Sequence, residues 1–161
     1  RPSNLVPSQT GHYLLSSSVY VTTSDNSCQT TNQFRKMKMP ILTIGSLLGF
    51  FAVGLGAFGA HGLEGRITEQ GLEWWHTATL YALTHAIVIT AMGLATRSGL
   101  SGFLIPAIFM TVGVLIFAGT LYSMALGAPR WFGAITPIGG VSLLIGWGWL
   151  AFVGLSASRT G

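Results

Sequence analysis

Three histidines stand at or within the apolar part of this chain, and they carry the side chains best suited to chemistry. His61 ends a glycine-rich apolar run, and His76 stands at the start of the next one, three residues after Glu73. A Glu and a His at this i, i+3 spacing share one face of a helix and can bind a metal ion together. A metal site in a helix bundle needs such pairs from at least two helices, and the last two apolar runs contain no His, Asp or Glu. We therefore expect no bound metal.

His85 is the histidine that falls inside an apolar run. It follows Thr77, Tyr81 and Thr84 at spacings that place all four side chains on one side of a helix, about 12 Å along the axis from Thr77. An ionisable residue near the middle of a membrane is a candidate functional residue. This polar stripe is therefore the first place to look for a function.

The alternative for His85 is a structural role. A neutral imidazole can hydrogen-bond across helices, and no carboxylate shares its depth. Three side chains of the third apolar run offer hydroxyl partners: Thr120, Tyr122 and Ser123. Haem ligation needs a second histidine at matched depth on a facing helix, which His85 lacks, so we expect no cofactor. His61 is expected to cap the carbonyl groups at the end of its helix.

The composition indicates a protein that lies in lipid. Charged residues make up 7% of the 161 residues, against about 25% in soluble domains, which need a hydrated surface. The net charge of +4 comes from only eight Lys and Arg against four acids. The basic cluster of Arg35, Lys36 and Lys38 directly precedes the first apolar run, which is the position of a topology signal and not of a nucleic-acid interface. Cys28 is the only cysteine, so one chain can form no disulfide and no Cys-based zinc site.

Four apolar runs define the fold. They cover about residues 41–60, 77–96, 103–126 and 136–155, and each is close to the ~20 residues that cross about 30 Å of hydrocarbon. Every charged residue after position 40 lies between or after these runs. We predict an all-α, integral membrane four-helix bundle over residues 37–161. Residues 1–36 are polar and are expected to be a disordered or extraneous N-terminal extension, with an organellar transit peptide as the alternative.

The distribution of basic residues predicts the orientation. Five flank the runs on one side, namely Arg35, Lys36, Lys38, Arg97 and Arg159, and two lie on the other, Arg66 and Arg130. Because basic residues are retained on the cytoplasmic side, both termini are expected to face the cytoplasm. Three tryptophans on the opposite side suit an interfacial belt: Trp74, Trp75 and Trp131.

Small residues predict how the helices pack. Within lipid, helices associate through close backbone approach, which small side chains permit. The first helix carries a seam of them: Gly45, Gly49, Ala52, Gly56 and Gly59. The fourth carries Gly139 and Gly140 behind Thr136 and Pro137, which suit the cap and first turn of a helix.

Several motifs together resemble the YgdD-like family of small membrane proteins, also known as transmembrane protein 256 or domain of unknown function 423. They are "GAFGAHGL" from Gly56, "TATLYALTHA" from Thr77, "FAGTLY" from Phe117, "TPIGG" from Thr136 and "GW" at Gly146. The resemblance implies a four-helix inner-membrane protein, with relatives in mitochondria, and no established activity. Carried onto this chain, its motif residues are His61, Tyr81, His85, Tyr122, Thr136 and Pro137, none with a catalytic role to transfer.

These observations favour a multi-pass membrane protein that is not an enzyme, since the runs hold no nucleophile with a base and no paired carboxylates. We expect an accessory or scaffold component of the membrane that contacts lipid and forms a homo-oligomer or binds other membrane proteins, without nucleic acid. The alternative is a small oligomeric transporter or channel for a solute or protons that uses the polar stripe at His85. We expect a bacterial inner membrane, with the mitochondrial inner membrane as the alternative.

Overall fold

A computed structural model describes the backbone of residues 17–157 and the side chains of residues 40–156. It contains four α-helices: α1 (Ser17–Gly62), α2 (Glu69–Arg97), α3 (Leu104–Ala125) and α4 (Thr136–Ala157). A 3₁₀ helix, Arg130–Ala134, leads into α4. Because residues 17–157 contain no strand, the predicted all-α class is confirmed.

All four helices are long and apolar enough to cross a membrane. The spans are Pro40–Gly62 in α1, Glu69–Arg97, Leu104–Ala125 and Arg130–Ser156, so the four predicted runs are confirmed. The structure does not test the prediction for residues 1–36. Residues 1–16 lie outside the described residues, and only the backbone of 17–39 is described, as part of α1.

The second helix begins eight residues before the apolar run that predicted it. Thr68 caps this helix, because its hydroxyl accepts a hydrogen bond from the backbone N–H of Gly71 at 3.1 Å. Glu69 then stands in the first turn, where a negative charge interacts favourably with the helix dipole. These polar residues form helix although they add nothing to the apolar run.

Glycine ends both central helices in the same way. After α2, the N–H of Leu100 bonds to the carbonyl of Ala95, and that of Gly99 bonds to Thr96. Gly99 has a φ of 99°, which a residue with a side chain rarely adopts. Gly127 ends α3 with the same pair of bonds and a φ of 97°. This motif satisfies the last helical carbonyls and turns the chain sharply.

The bundle is built around its two middle helices. Helix α3 packs against both α2 and α4, and its Met110 and Val114 are among the most deeply buried side chains, together with Ile89 of α2. Helices α1 and α4 are less buried along their spans than α2 and α3. Most of the surface of the two outer helices is therefore available to lipid or to other proteins.

The glycine seam of the first helix faces α2. A Cβ atom added at Gly45 would lie 2.6 Å from the backbone nitrogen of Thr90, which is closer than atoms can approach. At Gly59 it would collide with the indole of Trp75, and at Gly49 it would only touch Ala86. The partner numbers fall as the α1 numbers rise, so α1 and α2 run antiparallel in one regular register.

The two glycines predicted to form a patch on α4 differ from each other. A Cβ atom at Gly139 would lie 2.6 Å from the backbone nitrogen of Phe117 in α3. At Gly140 it would meet nothing within 4 Å. The predicted close contact therefore applies to Gly139 alone, because the next residue of a helix points about 100° away.

Candidate functional site

His85 lies near the middle of α2 and is 7% exposed. Its Nδ1 atom is 2.8 Å from the backbone carbonyl oxygen of Tyr81, and its Nε2 atom is 3.2 Å from Nε1 of Trp147 in α4. A carbonyl can only accept a hydrogen bond, so Nδ1 carries the proton, and an indole N–H can only donate, so Nε2 carries none. The two contacts together fit the neutral Nδ1–H form of the imidazole.

Aromatic rings from three helices form a chain of contacts that includes this imidazole. The ring of Tyr81 stacks on His85 with centroids 5.9 Å apart and an interplanar angle of 16°. Tyr81 also packs against Phe117 of α3, with a centroid distance of 4.4 Å. Trp147 is 46% exposed and meets His85 edge-on at 6.1 Å. We refer to His85, Tyr81, Phe117 and Trp147 as the His85 cluster, which joins α2, α3 and α4.

The hydroxyl groups predicted as partners of His85 bind elsewhere. The Thr120 hydroxyl lies 2.9 Å from that of Thr136, and the Tyr122 hydroxyl lies 3.0 Å from that of Thr79. Since α2 and α3 run antiparallel with Thr79 level with Tyr122, His85 lies about 9 Å further along the helix axis. The predicted hydroxyl partners therefore lie too far from His85 along the helix axis. The indole N–H of Trp147 in α4 donates to His85 instead.

The rest of the predicted polar stripe faces outward. Thr77 and Thr84 are exposed, and the Thr84 hydroxyl donates to the carbonyl of Leu80 at 2.8 Å. The same hydroxyl lies 3.4 Å from Nδ1 of His85. The structure thus brings Tyr81 and His85 together and leaves Thr77 apart from them.

A second aromatic cluster, centred on Trp75, lies in the other half of the bundle. Trp75 is 2% exposed, and its indole N–H donates to the carbonyl of Leu55 in α1 at 2.8 Å. Its ring meets Tyr122 edge-on at 4.5 Å and Phe58 at 5.8 Å. Trp75 is therefore a core residue and not part of the predicted interfacial belt, whereas Trp131 is 63% exposed.

The two histidines at the end of the bundle are separate from both clusters. His61 lies in the last turn of α1 and His76 in the second turn of α2, and both are exposed. Neither side chain forms a hydrogen bond within residues 40–156, so His61 does not cap the helix as predicted. In the described part of the chain, no three His, Cys, Asp or Glu residues are placed to bind a metal ion together.

Thr136 joins two helices at the start of α4. We predicted that Thr136 caps its own helix. Its hydroxyl instead hydrogen-bonds to that of Thr120, because the side chain points towards α3. Pro137 is exposed in the first turn, where its missing N–H leaves no bond unmade.

Sequence reasoning missed three members of these contacts: Trp147, Thr79 and Ser142. Trp147 had one usable signal, since an indole N–H inside an apolar span needs an acceptor and His85 is the strongest one available. The Ser142 hydroxyl donates to the carbonyl of Phe109 at 2.8 Å. No buried side-chain nitrogen or oxygen among the described residues lacks a hydrogen-bond partner, so the polar groups of the interior satisfy one another.

Comparison with known proteins identifies the relatives of this bundle. The family described as "Protein of unknown function (DUF423)" matches residues 55–140. The UPF0382 membrane protein YwdK of Bacillus subtilis is 41% identical over 113 residues, which are 69% of this chain and 91% of the relative. The UPF0382 inner membrane protein YgdD of Escherichia coli is 33% identical over 122 residues, which are 75% and 93% of the two chains.

The matches extend across bacterial groups. The UPF0382 membrane protein SERP0230 of Staphylococcus epidermidis is 40% identical over 111 residues, 69% of this chain and 90% of the relative. No solved structure matches the chain. The names of these relatives support the predicted bacterial inner membrane. With the family region inside the helical bundle and relatives aligned over nine-tenths of their length, the chain belongs to the DUF423 family of membrane proteins.

Proposed function

We propose that the protein is a non-enzymatic structural component of the membrane, an accessory or scaffold subunit of a larger assembly. The observation that carries this proposal is the state of His85. Both of its ring nitrogens are engaged by groups of the bundle itself, Tyr81 and Trp147. The most deeply placed ionisable side chain therefore stabilises helix packing and has no free nitrogen to offer a substrate.

The other interior polar groups support the same role. Thr79 with Tyr122 links α2 to α3, and Thr120 with Thr136 links α3 to α4. Interhelical hydrogen bonds of this kind hold transmembrane helices in one arrangement. The bundle thus has the character of a fixed framework.

The outer helices supply surfaces for association. Glycines on their outward faces have nothing within 4 Å of the position of a Cβ atom: Gly54 in α1, and Gly140 and Gly148 in α4. Outward glycines weaken a helix without serving the packing of the bundle, and they allow another helix to approach closely. This pattern supports binding to other membrane proteins or to further copies of the chain.

Co-purification tests the proposal directly. The full chain, tagged and extracted in mild detergent, is expected to retain a heterologous protein in fixed stoichiometry when examined by native mass spectrometry. Gly148→Leu is expected to release that protein, whereas Gly119→Leu on the exposed face of α3 serves as the matched control. Recovery of nothing but a monomer or a homo-oligomer would contradict the accessory role.

The alternative is transport through an oligomer, and one observation favours it. Tyr81 and Thr84 expose polar groups beside His85 on the outside of the bundle, where a neighbouring copy can complete a polar path. Flux measurements in reconstituted vesicles separate the two functions. Transport requires a flux that His85→Ala removes, while the structural role requires that this substitution change stability and no flux.

A further inference from the structure

A groove lies between α1 and α2 on the outer surface of the bundle. Its volume is about 380 Å³, within the ~300–1,000 Å³ of typical small-molecule sites. Small residues form its walls: Gly45, Ser46 and Gly49 of α1, and Ala86, Thr90 and Ala91 of α2. Leu94 closes the wall nearest the end of α2. The groove is apolar, open to one side, and extends about 12 Å along α2, which suits part of a hydrocarbon chain.

Two hydroxyl groups in this groove have no hydrogen-bond partner among residues 40–156. The hydroxyls of Thr84, Thr96 and Thr111 each donate to the carbonyl four residues earlier. Within residues 40–156, those of Ser46 and Thr90 form no hydrogen bond. A hydroxyl without a partner is unfavourable in a bilayer, so a ligand that offers oxygen acceptors at this depth is favoured.

Arg97 stands directly above the groove. Ile87, Thr90 and Leu94 line it at spacings of three and four residues, and Arg97 continues the same helix face three residues on. Thr90 lies about 10 Å below Arg97 along the axis, close to the depth at which lipid headgroups meet hydrocarbon.

The charge at this end of the bundle favours an anionic ligand. Among residues 40–156, Arg97 is the only charged residue there, because the acids Glu64, Glu69 and Glu73 all lie at the opposite end. Basic pockets between transmembrane helices bind the headgroups of anionic lipids. The groove thus offers an apolar channel, two hydroxyl donors and a cation. These features match, in the same order, the acyl chain, the ester oxygens and the phosphate of a phospholipid.

We propose that this groove binds one anionic membrane phospholipid. Its acyl chain lies between α1 and α2, its ester oxygens accept hydrogen bonds from Ser46 and Thr90, and its phosphate contacts Arg97. The site is separate from the His85 cluster and does not depend on the proposed accessory role.

Native mass spectrometry of the full chain tests this site. The protein is mixed with phosphatidylglycerol and phosphatidylcholine of identical acyl chains, and the bound lipids are counted. We expect one retained phosphatidylglycerol in preference to phosphatidylcholine. Ala91→Phe fills the groove and is expected to abolish this adduct, whereas Leu80→Phe, on the same helix outside the groove, leaves it intact.

The headgroup contact has its own variant. Arg97→Gln is expected to lower the preference for phosphatidylglycerol about fivefold, the effect of one basic residue at an anionic lipid surface. Arg130→Gln, at the other end of the bundle, is the matched control. Arg97 is exposed at a helix end, so this variant remains informative if Ala91→Phe fails to fold.

Three results would overturn the proposal. An adduct that survives Ala91→Phe in folded protein would place the lipid elsewhere. Equal retention of both lipids by the unsubstituted protein would remove the charge argument. A dimer that Ala91→Phe dissociates would make a second copy of the chain, and not a lipid, the occupant of the groove.

Discussion

The imidazole of His85 is fixed by two groups of opposite hydrogen-bonding character. The carbonyl of Tyr81 holds the Nδ1 proton, and the indole N–H of Trp147 occupies Nε2. An added proton on Nε2 would face the indole proton and remove the contact. At the scale of the residue, a histidine that looks functional by its depth is a neutral link between α2 and α4.

Removing the indole donor tests this link. Trp147→Phe keeps an aromatic ring but leaves Nε2 of His85 without a partner. We expect the free energy of unfolding to fall by about 0.6–1.7 kcal/mol, the size of an interhelical hydrogen bond in a membrane protein. Unfolding of the purified protein by a denaturing detergent measures the change.

Trp149→Phe provides the control for lost ring area, because Trp149 forms no hydrogen bond within the described residues. Equal destabilisation by the two substitutions would show that ring packing, and not the bond to His85, stabilises this position.

Helix packing depends on which glycines face a neighbouring backbone. Gly45 and Gly139 lie where a Cβ atom would be 2.6 Å from a backbone nitrogen of the next helix, while Gly54 and Gly140 face outward. Each outer helix therefore uses one set of glycines to pack within the bundle and leaves another set free. Glycine content alone does not distinguish the two sets.

Adjacent glycines of α4 form a matched pair of tests. Gly139→Ala is expected to lower the free energy of unfolding by about 1–3 kcal/mol, because the new methyl group overlaps the backbone of Phe117. Gly140→Ala is expected to be neutral or to stabilise by up to about 1 kcal/mol, since alanine favours helix and nothing is displaced. Detergent unfolding of both variants checks the difference, and similar values for the two would show that α4 does not present Gly139 to α3.

Apolar length was sufficient to predict the elements. The runs at 103–126 and 136–155 differ from α3 and α4 by no more than two residues at each end, because lipid requires helix wherever the chain crosses it. The start of α2 was missed by eight residues because Glu69, Glu73 and His76 extend the helix outside the apolar run. A count of apolar residues does not detect polar helix caps or polar first turns.

The pairing of side chains was harder to predict than the helices. Tyr81 and His85 share a helix face by spacing alone, but the partner of His85 depends on the register and rotation of α3 and α4. Hydropathy treats Trp147 as an apolar residue, so its N–H donor received no weight. Whether Gly140 contacts α3 depends in the same way on the rotation of α4 about its axis, which cannot be read from the sequence.

At the scale of the whole molecule, the charges are distributed unequally between the two ends. Arg97 marks one end, and the other carries Glu64, Arg66, Glu69, Glu73 and Arg130. From the excess of basic over acidic residues at the Arg97 end, together with Lys38 in the sequence before the first span, we predict that this end faces the cytoplasm. The six-residue loops 63–68 and 98–103 lie at opposite ends of the bundle. Their accessibility from outside the cell therefore distinguishes the two orientations.

Cysteine labelling of intact cells tests the orientation. In a Cys28→Ser background, a membrane-impermeant maleimide is expected to label Glu64→Cys and to spare Ser101→Cys until the cells are opened. Both positions are exposed, so accessibility differs only by side. Labelling of Ser101→Cys from outside would reverse the proposed orientation.

The unequal lengths of the two central helices have a consequence for the bilayer. Helix α2 has 29 residues and α3 has 22, so their lengths are about 43 Å and 33 Å. The tight turn at Gly99 keeps the end of α2 beside the start of α3, so the extra length of α2 lies at its beginning. The exposed side chains of this first part of α2 are polar: Glu69, Glu73 and His76. We therefore expect the first turns of α2 to accommodate a change in bilayer thickness at that end of the bundle.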